Sequence, residues 1–313
     1  MPVPRRAGNR RASLAATARD TIAMLPAILQ SLPHLNTSHS TKLRADLVGP
    51  LSQPDCPGFK LTSSPPSRGT FVKVMNEDTL DAAIAMARAL PPSPSQASNL
   101  PSQRNGRVAV LNLASDKNPG GGWMNGALAQ EEALCYRSSL AQSLHKSYYP
   151  WSPLTAVYTP DVVVVRSSIG SGHKHLTPDV PVAELPVVSV ISVAAIRRPA
   201  VCVEPGNGDA HAGNSQALFK HAADRLLTKE KMRLVLRIAA REKHELLVLG
   251  ALGCGAFRNP PEDVAQCWSE VLDEEEFRGG WWREIWFAVL DGRNEGNFDV
   301  FDRVLSGKEV GKL

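Results

Sequence analysis

Apolar positions keep two different rhythms along this chain. Between Arg10 and Gln30 they recur at Leu14, Ala18, Ile22, Leu25 and Leu29, the spacing of one face of a helix. Thr70–Asn76 reads as a strand, and Glu77–Leu90 as a helix capped by Asn76. Beyond residue 106 short runs rich in Val, Leu and Ile predict strands at Val108–Leu113, Val162–Val165, Val187–Val193, Leu246–Leu249 and Ile285–Leu290. Helical spacing predicts Leu128–Tyr148, Ser215–Lys243, Pro261–Glu276 and Phe298–Leu305 between and after them. Such alternation argues for an α/β layered domain built on a mixed sheet. Residues 31–69, rich in Pro, Ser and Thr, predict irregular chain wrapped on a surface. Pro91–Asn105 predicts a low-complexity connector. The expected division is an extension with its linker over 1–105 and a main domain over 106–313.

Composition narrows the class. A hydrophobic content of 43% in 313 residues suffices for a sizeable core. The formal charge of +4 is small for this length and gives no argument for nucleic-acid binding. Five cysteines (56, 135, 202, 254 and 267) show no metal-ligand spacing, and no secretory signal precedes them. Reduced thiols in an intracellular compartment are expected, in nucleus or cytoplasm. The basic start (Arg5, Arg6, Arg10, Arg11) also invites a mitochondrial reading, but the apolar stripe continues past Asp20, which favours the frayed start of a helix. No run of about 18 apolar residues occurs, so an ordinary transmembrane helix is excluded.

The densest candidate chemistry lies in Arg107–Tyr148. A strand runs into Asn118-Pro119-Gly120-Gly121-Gly122, where proline lacks the N–H and the glycines permit positive φ and close backbone approach. A helix follows. Strand, glycine loop and helix form an arrangement that binds phosphate through converging N–H groups and the helix dipole. Gln130-Glu131-Glu132 then falls in the first helical turn, where two acids would repel a phosphate unless they face another part of the same ligand. A sugar attached to a diphosphate uses both features. Adjacent helical residues point about 100° apart, so the two acids cannot do the same job. Adjacent acids in a first turn also suit the dipole alone.

Gly120-Gly121-Gly122, seven residues, then Gln130-Glu131-Glu132 resembles the signature of poly(ADP-ribose) glycohydrolases of the bacterial and fungal type. Leu249–Pro261, containing Gly253-Cys254-Gly255-Ala256-Phe257, is similar to that family's other ligand loop. A weaker likeness extends to Asp20-Thr21-Ile22 and Val157–Pro160. The resemblance implies a macrodomain-like three-layer α/β fold with a mixed β-sheet and an N-terminal helical extension. It implies hydrolysis of ribose–ribose O-glycosidic bonds in poly(ADP-ribose), exo-acting, releasing ADP-ribose. Glu132 would protonate the departing 2′-oxygen and then activate water. Glu131 would accept hydrogen bonds from ribose hydroxyls and, as a neighbouring carboxylate, raise the pKa of Glu132. Substrate contacts are expected from Asn118, Gly120, Gly121, Gly122 and Gln130 on one side, the glycines holding the diphosphate. Gly253, Cys254, Gly255, Ala256 and Phe257 would close from the other, with the Phe257 ring against ribose or adenine. Asn118 is almost as well explained as a turn former, Phe257 also suits a core, and Cys254 reads as packing. No cofactor and no metal enter this scheme. Expected partners are poly(ADP-ribose), ADP-ribose and poly-ADP-ribosylated proteins, with no membrane or direct nucleic-acid binding, for a monomer.

Other segments depart from the family or stand outside it. Arg166-Ser167-Ser168 lacks acids that often follow this arginine, Ala194–Arg198 replaces a loop richer in Pro and Asn, and Val201–Asn214 reads as an insertion. His173-Lys174-His175 resembles half a metal site, though a solvated loop explains it better. Trp281, Trp282 and Trp286 are expected to pack the edge of the last strand. Two other functions compete. A non-catalytic ADP-ribose reader needs the loops but not the two acids. A nicotinamide-dependent oxidoreductase would need a different order of glycines from Gly250, Gly253 and Gly255, and no Walker lysine supports an ATPase.

Overall fold

The computed structural model describes residues 5–61, 67–90, 107–205 and 215–311. The connector expected at Pro91–Asn105 lies outside them, as do residues 206–214 of the insertion and the first four residues of the basic start. Ten strands and six helices are described: β1 (Thr41–Arg44), β2 (Thr70–Met75), β3 (Val108–Leu113), β4 (Thr155–Val163), β5 (Val187–Val193), β6 (Val201–Pro205), β7 (Ser215–Phe219), β8 (Leu246–Leu249), β9 (Glu284–Ala288) and β10 (Glu309–Val310), with α1 (Arg5–Gln30), α2 (Thr79–Ala89), α3 (Gln130–Arg137), α4 (Ala222–Arg241), α5 (Pro261–Leu272) and α6 (Asn297–Leu305).

Eight strands form one mixed sheet in the order β1-β4-β5-β3-β8-β9-β2-β10. The five from β5 to β2 run parallel, and β4 and β10 flank them antiparallel. Strand side chains alternate between two buried faces. Ala109, Leu111, Leu247, Leu249 and Phe287 enter one core with Met232 of α4, Trp268 of α5 and Phe301 of α6. Val108, Val110, Leu246 and Val248 enter the other with Leu80 and Met86 of α2, Leu134 of α3, and Leu14 and Ala18 of α1. Helix, sheet and helix make the three layers. Trp268 is wholly buried, so truncating it to alanine costs about 3–5 kcal/mol. The sheet takes strands from both sides of residues 91–106, since β1 and β2 pair with β4 and β9. No helix among the described residues is long and apolar enough to cross a membrane.

Several elements differ from expectation for physical reasons. The helix predicted to reach Tyr148 ends at Arg137. Ser138 is extended and bridges Val164, Ser139 exchanges hydrogen bonds with Val163, and only 3-10 turns follow. The cap of α2 is Asp78, whose side chain accepts from Leu80 and Asp81 N–H groups; Asn76 instead accepts from the Asp291 N–H. Strand β4 begins seven residues before the predicted Val162, is buried throughout, and changes register between Thr159 and Val162, where Pro160 sits. The predicted helix Ser215–Lys243 loses its start to β7, which pairs with β6 as a separate hairpin. The tryptophans are interior: β9 lies between β8 and β2, and Trp281, Trp282 and Trp286 are all buried.

Candidate active site

The C-terminal ends of parallel β3, β5 and β8 face one edge, where ligands bind in open α/β sheets. The loops leaving them carry the predicted site residues. After β3, Ser115 Oγ accepts from the N–H groups of Lys117 and Asn118, and Gly121 N–H donates to the Asn118 carbonyl. Asn118 is thus an exposed turn residue. Gly120 and Gly121 take φ of +69° and +59°, which glycine adopts without strain.

The glycines wrap around the acids. Gly122 N–H donates to Glu132 Oε1 at 2.9 Å, Ala129 N–H donates to Glu132 Oε2 at 2.9 Å, and the Gly120 N–H faces Glu131. A Cβ on Gly121 would stand 2.5 Å from Glu132 Oε1 and 3.1 Å from Glu131 Oε2. These three N–H groups, expected to hold the diphosphate, are engaged in this structure by carboxylates and the turn. Gln130 also differs from expectation. Its oxygen accepts from Leu113 N–H, and its amide nitrogen donates to the Leu111 carbonyl and Thr79 Oγ1. It braces α3 against β3 and α2 where a ligand contact was expected.

Both acids are buried, Glu131 to 3% and Glu132 to 8% exposure. Glu131 accepts from Ser115 N–H at 2.8 Å and, weakly, from the Asn112 amide at 3.4 Å. Burial, opposed by these donors and reinforced by the charge of Glu132, pushes its pKa up to about 8. Burial thus favours the neutral form of Glu131. Behind the acids lie Cys135, whose thiol pKa burial pushes well up, and the tilted ring pair of Tyr149 and Trp151. Tyr149 Oη and Asn112 Oδ1 are buried without a partner among the described residues.

The second loop, after β8, offers what the first does not. Among the described residues the N–H groups of Gly255, Ala256 and Phe257 meet no acceptor in the chain, and a Cβ on Gly255 would meet only open space. Gly253 takes φ of +79°, and its Cβ would press on Ala195 at 2.5 Å and on Asn259. Asn259 donates to the Ile196 carbonyl at 2.6 Å, and Arg198 N–H donates to the Phe257 carbonyl at 2.7 Å, so the β5 and β8 loops are stitched together. Phe257 is half-buried and outside the core clusters; Cys254 is buried, and burial drives its thiol pKa upward, consistent with packing.

Sequence reasoning missed Asn112, Ser115 and the contribution of α1. Gly126 lies against the Arg11 carbonyl, where a Cβ would collide, and Arg11 Nε donates to the Asn125 carbonyl at 2.7 Å. Tyr136 Oη donates to the same turn at the Trp123 and Ala127 carbonyls. Arg166 pairs with Asp20 and donates to Thr21 Oγ1, pinning the middle of α1. His175 bonds Asp20 and His173 packs on Tyr136, and no group of three potential metal ligands occurs among the described residues.

Residues 36–167, which include the glycine turn and both acids, match the family model described as microbial-type PARG, catalytic domain. That is the family this stretch resembles. Solved structures of poly(ADP-ribose) glycohydrolase (PARG) extend the likeness over more of the chain. The Thermomonospora curvata protein is 24% identical, covers 93% of this chain and 99% of its own, and superposes with a TM-score of 0.67, which shows the fold. The same protein bound to the inhibitor ADP-HPD gives 24% and 0.66 over the same coverage. The Deinococcus radiodurans PARG in complex with ADP-ribose is 29% identical over 75% of this chain and 84% of its own, with a TM-score of 0.56. No curated protein matches significantly. The PARG likeness makes this chain's three-layer α/β fold macrodomain-like, and the stretch that matches the microbial PARG family includes the glycine–carboxylate turn.

Proposed function

We propose that this chain is a poly(ADP-ribose) glycohydrolase that releases ADP-ribose by hydrolysing ribose–ribose O-glycosidic bonds. The observation that carries the reading is the pair of buried acids wrapped by the glycine turn, within the segment that matches the microbial PARG catalytic domain. A reader module needs no such pair. The unpaired N–H groups of Gly255–Phe257 suit a diphosphate, and the Phe257 ring lies beside them for ribose or adenine. The terminal ribose then reaches the acids.

Glu132 gives its proton to the departing 2′-oxygen as the bond to the anomeric carbon breaks. The resulting carboxylate takes a proton from the water that attacks the oxocarbenium-like carbon, which restores the acid. Glu131, held neutral by burial, bonds the ribose hydroxyls without adding a second negative charge. The Gly122 and Ala129 N–H groups orient Glu132 throughout. The reaction is tested by incubating the protein with automodified poly(ADP-ribose) and resolving products by length. Accumulating free ADP-ribose is expected. Tight ADP-ribose binding with no product would instead identify a reader.

A further inference from the structure

A shallow groove, open to solvent, runs between α1 and the turn 123–125, lined by Arg11, Ala12, Ala15, Arg19, Met124 and Asn125. Arg11, Ala15 and Arg19 share one helix face, which sets the two arginine Cα atoms about 12 Å apart along the axis. Ala12 and Ala15 present only methyl groups between them, and the exposed Met124 thioether forms the opposite wall. Apart from the Arg11 bond to Asn125, neither guanidinium has a partner among the described residues. Asp20, the nearest acid in sequence, is taken by Arg166 and His175. Two uncompensated guanidiniums over an apolar floor suit a nucleoside diphosphate, its oxygens on the arginines and its base on the methyl and thioether surface.

The position of the groove says which diphosphate. Met124 and Asn125 follow directly in the turn whose Gly122 N–H holds Glu132. A ligand whose own diphosphate lies on Gly255–Phe257 spends that group before its terminal ribose reaches Glu132. What continues past Glu132 towards α1 is the other side of the scissile bond. We propose that this groove binds the adjoining ADP-ribose unit of the polymer, the unit that departs with the 2′-oxygen. The inference rests on the glycohydrolase reading and adds to it a leaving-unit subsite, so that polymer is held at two diphosphates.

Arg19→Glu tests it, because Arg19 is exposed and touches neither acid nor glycine turn. On purified poly(ADP-ribose) the variant is expected to raise KM about ten-fold, the loss of one charge-assisted contact, with kcat unchanged. Arg19→Lys should recover most of that loss. Calorimetry with free ADP-ribose, which fills only the terminal site, should give wild-type affinity and reports on folding at the same time. A wild-type KM for Arg19→Glu overturns the proposal. So does a parallel fall in ADP-ribose affinity, or an equal loss of binding to a mono-ADP-ribosylated acidic peptide, which assigns the groove to the modified protein. If the wild-type chain itself neither binds ADP-ribose nor cuts polymer, the glycohydrolase reading fails before the groove is in question.

Discussion

Replacing Glu131 with glutamine isolates the cost of charging a buried acid. The folded-state pKa of about 8 stands against 4.5 for the free side chain, with burial as the largest cause. Between these values the folded chain holds the proton more tightly than the unfolded chain does. Stability from this group is therefore fully present below pH 4.5 and is lost as pH rises through 8. At roughly 1.4 kcal/mol per pKa unit the whole loss amounts to about 4–5 kcal/mol, a large share of a domain's stability. Glutamine keeps an acceptor for the Ser115 N–H and never ionises. Urea unfolding followed by circular dichroism from about pH 5 to pH 9 should show wild type losing ground to Glu131→Gln by several kcal/mol across the window. Parallel profiles would mean that Glu131 ionises freely in the fold, and its assignment as the neutral partner of Glu132 would fall.

Glu132→Gln should lower turnover by roughly 10²–10⁴, the range for losing a general acid, while ADP-ribose affinity stays within a few-fold; turnover near wild type removes Glu132 from the catalytic role. Gly121→Val carries a left-handed backbone penalty of about 1–2 kcal/mol and drives its Cβ against Glu132 Oε1, 2.5 Å away. The expected variant is folded, retains diphosphate binding at Gly255–Phe257, and turns over little; full activity would show that the acids need no glycine there. EDTA should leave activity intact, since a carboxylic acid and water complete the proposed step; loss restored by Mg²⁺ or Zn²⁺ would move the chain to another hydrolase class.

Much of this architecture was legible where the code is local. Val108–Leu113, Val187–Val193 and Leu246–Leu249 match the observed strands residue for residue, because buried parallel strands are continuous apolar runs. The triple glycine and the paired acids were visible as residue types at a spacing. Their mutual geometry was not: that the Gly120 and Gly122 N–H groups turn towards Glu131 and Glu132 depends on positive φ at two glycines and on the Asn118–Gly121 turn. The helix predicted to Tyr148 failed because Leu140, Leu144 and Tyr148 keep helical spacing while Ser138 and Ser139 offer their hydroxyls to the backbone instead. Pro160 hid the first half of β4. The raised pKa of Glu131 and the grip of α1 on the glycine turn are products of burial by distant chain, which periodicity does not report.

The placement of β2 has a consequence for how the molecule is made. Phe71 is paired with Glu284 on one side and Glu309 on the other, more than two hundred residues later in each case. At a synthesis rate of about 5–20 residues per second, β2 waits on the order of 10–40 s for its first neighbour. During that interval Val72 and Val74, both buried in the finished sheet, have no strand to lie against. Contacts so remote in sequence also slow refolding of the intact chain. Nascent or heat-unfolded protein is thus expected to be prone to aggregation through Thr70–Met75, and a chaperone that shields this one segment should raise the yield of folded enzyme.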